Sequence, residues 1–126
     1  MTYTTVSKCG NDHSTWLKEL DFYNEELSLL EKRLLEIADK NNGKEVMAEV
    51  EHFQNQFIVQ RNNMDVLQHN INEHNNKVAE DAKAHAGKME VSKEHDHKEL
   101  KTQIEMFEKV FNELRHEYNR FLSKWL

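Results

Sequence analysis

Residues 46–78 read VMAEVEHFQNQFIVQRNNMDVLQHNINEHNNKV. Val46, Val50, Phe53, Phe57, Met64, Leu67, Ile71 and Val78 recur at alternating steps of three and four, with Gln60 and His74 filling the two remaining places in the series. Steps of this kind return to one side of an α-helix every turn, so the stretch predicts a long helix with one seam turned towards partner helices.

The same rhythm appears on either side. Trp16, Leu20, Tyr23, Leu27, Leu30, Leu34 and Ile37 form a seam before it, and His97, Leu100, Ile104, Phe107, Phe111, Leu114, Tyr118, Phe121 and Trp125 form one after it. Between the first two lies Lys40-Asn41-Asn42-Gly43. Asparagine and glycine end helices readily, and lysine complements the negative end of the helix dipole. Asn42 and Glu45 also have the spacing of a capping box. Gly87 supplies the second break. The expectation is an all-α, three-helix up-down-up bundle with helices near 14–41, 44–86 and 90–125. Its pattern is similar to spectrin-type repeats in architecture only. Residues 1–13, polar and β-leaning, are expected to form a flexible N-terminal arm, leaving 14–126 as one domain.

Length then sets an expectation for shape. A first helix starting near residue 14 would be about 40 Å long and the second about 65 Å, at 1.5 Å per residue. The first would cover the second only as far as about Ile71. Residues 72–98 are therefore expected to project as an antiparallel coiled-coil hairpin. Asn72, Asn75, Asn76, Lys77, Glu80, Asp81 and Lys83 agree in offering little apolar surface.

Composition narrows the function classes. Of 126 residues, 32% are charged, none is proline and only three are glycine, which suits long helices rather than strands and turns. A net charge of −6 argues against nucleic acid, where a basic footprint is expected. No stretch has the length and apolarity of a membrane span, and the N-terminal residues lack a signal core, so a cytoplasmic location is expected. The lone Cys9 cannot form an internal disulfide.

Eight histidines raise the question of metal. Glu49-x-x-His52 and Glu113-x-x-His116 resemble half the ligand set of ferritin-like di-iron bundles. Val50, Phe53 and Leu114 hold the seam there, however, which turns His52 and His116 outwards. His74 and His97 are better placed, because both are seam residues. If the turn centres near Gly87, His74 faces Leu100 and His97 faces Val78, one layer apart. Two imidazoles at that separation can share zinc or copper with a carboxylate, and His85, His95, Glu73, Asp81, Glu94 and Asp96 lie nearby in sequence.

Catalysis finds no support: no thiol or hydroxyl is placed beside a buried base, and there is no glycine-rich phosphate loop. Phe22, Leu29, Val59 and Val66, with Leu35, Ile58 and Met106, fall beside the seams and suggest a second apolar stripe, with a homodimer as its simplest use. The leading expectation is a non-enzymatic interaction or assembly protein without a cofactor, binding a protein partner or itself. The alternative is a metal-binding or metal-sensing bundle that uses the hairpin histidines.

Overall fold

A computed structural model describes residues 6–84 and 91–125. Three helices make it up: α1 (Val6–Lys40), α2 (Lys44–Ala84) and α3 (Val91–Trp125), and no strand occurs among the described residues. The fold is an all-α bundle.

The expected seams are its core. Leu27, Leu34 and Ile37 of α1, Val50, Phe57 and Ile71 of α2, and Phe111 and Tyr118 of α3 are almost fully removed from water. A ladder of aromatic contacts runs through this core. Tyr23 meets Phe107 and Phe111, while Phe53 meets Phe57, Tyr118 and Phe121, with ring centroids 4.9–6.2 Å apart. The offset and edge-on geometries of such pairs are worth more than the area they bury. Tyr118 also donates its hydroxyl to the Leu30 carbonyl at 2.9 Å, tying α3 to α1, and burial pushes its phenol up to about 12.

Polar contacts record how the helices run. Between α1 and α2, residue numbers fall on one helix as they rise on the other: His13 meets His74, and Glu31 meets Arg61. Between α2 and α3, Glu45 meets Lys124, and His52 meets Glu117. Between α1 and α3 they rise together, from Asp12–His97 to Glu26–Arg115. So α2 runs against both of its neighbours.

The link between α1 and α2 is Asn41-Asn42-Gly43. Asn41 closes α1 by donating its backbone N–H and its side-chain amide to the Ile37 carbonyl, both at 3.0 Å. Gly43 takes the N-cap position of α2, its carbonyl accepting from Met47 N–H at 3.0 Å. Glu45 does not complete the expected box with Asn42; its carboxylate accepts from Lys124.

The structure corrects the expected start of the first helix. α1 begins at Val6 rather than near residue 14, so residues 6–13 are helix and not a flexible arm; residues 1–5 lie outside the described residues. At 35 residues, α1 is about 52 Å long and runs alongside α2 as far as His74 and Asn75. The base of the expected 72–98 hairpin is therefore covered by α1: His74, Val78 and His97 are all buried. Gly87 and His85, to which the turn and part of the histidine set were attached, lie outside the described residues.

Candidate metal centre

The site closes the end of the bundle at which α1 begins. The contiguous apolar core runs as far as Trp16, Ile71 and Leu100, and the next layer is made of histidines. His13 of α1, His74 of α2 and His97 of α3 are 2%, 5% and 8% exposed. Val78, one turn further along α2, is buried outside that apolar cluster.

The three rings pack against one another. Centroids are 5.1 Å apart for His13–His74, 5.2 Å for His13–His97 and 5.6 Å for His74–His97. Trp16 forms one wall, 4.9 Å from His97 and 5.7 Å from His13. One potential ligand nitrogen from each histidine lies within 4.8 Å of the other two, and the three constitute the one such group among the described residues. A tetrahedral zinc ion with Zn–N bonds of 2.0–2.1 Å holds its nitrogens about 3.3 Å apart.

Each ring is anchored. His13 Nε2 is 2.9 Å from His74 Nδ1, and His13 Nδ1 is 2.9 Å from Asn75 Oδ1. His97 Nε2 is 2.9 Å from Asp12 Oδ2. By contrast, His97 Nδ1 is buried with no hydrogen-bond partner. Leaving such an atom unsatisfied costs about 1–3 kcal/mol, so a structure that retains one invites an explanation in terms of a ligand.

Electrostatics favour a neutral His13 ring. Burial pushes the His13 pKa below its ordinary 6.5, helped by the nearby His74 and His97, while the Asn75 hydrogen bond and Asp12 pull the other way. A neutral imidazole is the form that gives a lone pair to a metal. A shallow groove between α2 and α3, lined by Glu73, His74, Lys77, Asp96 and Glu99, leads from solvent to the His74 side of the cluster.

The two expected ligands, His74 and His97, are thus brought together, in one layer rather than one layer apart. The third member, His13, was placed in the supposed arm. A signal for it was present: continued backwards from Trp16, the three-four rhythm falls on His13, Cys9 and Val6. The other histidine motifs point elsewhere, as their positions beside the seam require. His52 is exposed and pairs with Glu117 at 2.8 Å, His116 is exposed, and Glu49 accepts from Trp125 Nε1. His95 is exposed beside Glu99.

The side chains of the expected second stripe are exposed. Phe22 and Leu29 on α1 are 62% and 68% exposed, and Val59 and Val66 on α2 are also exposed. Ile58 joins Leu35 in a groove between α1 and α2, whereas Val66 joins Met106 and Val110 in another between α2 and α3. Leu35 and Ile58 therefore lie on one flank of α2, and Val66, Met106 and Val110 on the other. No family model, curated protein or solved structure matches the chain.

Proposed function

We propose that this chain is a metal-binding helical bundle whose ligands are His13, His74 and His97, and that its ion is zinc or copper. The observation that carries the reading is the burial of three imidazoles, one from each helix, with a nitrogen of each within 4.8 Å of the others. Imidazole nitrogen suits both ions, and three such ligands leave room for a fourth. Burial of three polar rings at the end of an apolar core is otherwise unfavourable compared with leucine at the same positions. A bound ion would satisfy the lone pair on His97 Nδ1 and draw the three helices together, which suits a sensing or structural role.

The test is elemental analysis with native mass spectrometry on untagged protein purified without chelator. One ion per chain is expected, lost on His13→Ala, His74→Ala or His97→Ala. Protein that is empty as purified and takes up no added zinc or copper would remove the reading.

A second reading concerns assembly. The exposure of Phe22, Leu29, Val59 and Val66 favours self-association, with a homodimer as the simplest product. Sedimentation equilibrium should then give a dimer that Leu29→Glu with Val66→Glu converts to a folded monomer. A wild-type monomer at micromolar concentration would remove it.

A further inference from the structure

We infer that Asn75 and Asp12 are positioning residues that fix the tautomers of His13 and His97, leaving each ring with one chosen nitrogen to give to a metal. Asn75 Oδ1 is a carbonyl oxygen and can only accept, so the His13 nitrogen facing it at 2.9 Å, Nδ1, carries the proton. In the neutral ring, Nε2 is then a lone pair. His74 Nδ1, 2.9 Å from that lone pair, must be its donor. Asp12 Oδ2 is a carboxylate oxygen, so His97 Nε2 carries the proton that faces it at 2.9 Å, and the lone pair of neutral His97 sits on the buried, partnerless Nδ1.

A chain of protons is thereby determined across three helices. One lone pair is open to a metal as it stands, that of His97 on Nδ1, whereas the His13 lone pair on Nε2 already accepts from His74. His74 is different, because its Nδ1 proton occupies the His13 lone pair. It joins through Nδ1 only by exchanging that proton for one on Nε2, and one N–H···N bond is broken as metal–nitrogen bonds form. Outer partners that hold a ligand's second nitrogen are a general feature of histidine metal sites, and their loss typically weakens binding 10–100-fold. This consequence for affinity rests on the metal reading above; the tautomers themselves do not.

The experiment therefore has two independent parts. In chelator-treated wild-type protein, long-range proton–nitrogen NMR at neutral pH should show His13 protonated on Nδ1, His74 on Nδ1 and His97 on Nε2. His13 protonated on Nε2 would overturn the inference. In the second part, Asn75→Leu should release the His13 tautomer and lower zinc affinity 10–100-fold, whereas Asn75→Asp keeps an acceptor oxygen and should hold both. A residue that acted only by packing would not separate these variants by tautomer, and equal His13 spectra in the two would count against Asn75. Tautomers as stated in a protein that takes up no zinc would remove the metal reading and leave the positioning roles standing.

Discussion

His13 Nε2 and His74 Nδ1 meet at 2.9 Å across 61 positions of sequence, joining the second turn of α1 to the far part of α2. This contact and its neighbours hold a segment whose own residues are weak helix formers. Gly10 and Asn11 favour other conformations, and the segment offers little apolar surface. Its helix depends on docking.

Metal should therefore stabilise the start of α1 more than the rest of the bundle. Zinc at about 100 times its dissociation constant adds about 2.7 kcal/mol to a protein that binds it only when folded. A rise in Tm, reversed by chelator, is expected, and amide exchange should slow most around residues 10–16. Uniform slowing along all three helices would contradict a local role for the site.

Gly10→Ala tests the helix itself. A Cβ at Gly10 meets nothing within 4 Å, so the substitution costs no packing. It should raise stability by about 0.5–1 kcal/mol, the usual advantage of alanine over glycine inside a helix. Chemical denaturation measures this directly, and no change would mean that residues 6–13 are not helical in the folded protein.

Two buried polar groups predict opposite effects. Gln60 is buried and its Oε1 has no hydrogen-bond partner, so Gln60→Met should stabilise by about 1 kcal/mol. Tyr118 donates to the Leu30 carbonyl, so Tyr118→Phe should cost about 1 kcal/mol. Urea midpoints of the two variants should move in opposite directions from wild type.

Stability should depend on pH from two sides. Burial, then the hydrogen bond and charge of Glu19, then Glu105, push the Glu108 carboxyl from 4.5 up to about 7. The folded state holds that proton more tightly, so this contribution is complete below pH 4.5 and is lost as pH rises through about 7. His13 behaves oppositely: its lowered pKa contributes stability above pH 6.5 that disappears as pH falls. His74, His97 and Asp12 face that ring. Thermal melts of chelator-treated protein should show Glu108→Gln losing less stability than wild type between pH 4.5 and about 7. Parallel wild-type and variant curves would rule out Glu108 as the source.

Most of the fold was legible in the sequence because one physical rule governs it. The strict three-four spacing placed Leu27, Phe57, Ile71, Phe111 and Tyr118 in the core, and it buried His74 and His97 despite their polarity. The start of α1 was not legible by the same eye. Residues 1–13 are polar and β-leaning, and that local character points away from helix although the three-four rhythm continues through His13. Tertiary contacts with Asn75, His74 and His97 override that propensity. That single misplacement also produced the bare 72–98 hairpin and hid the third histidine. Asp12 and Asn75 could not have been found from spacing, since both lie off the seam and meet their partners only once three helices are packed.

The most direct test of the metal centre is X-ray absorption at the zinc edge on protein loaded with one equivalent of zinc. The account predicts a shell containing three imidazole nitrogens near 2.0–2.1 Å, reduced by one in His13→Ala. A shell of oxygens alone, or one unchanged by that substitution, would contradict it.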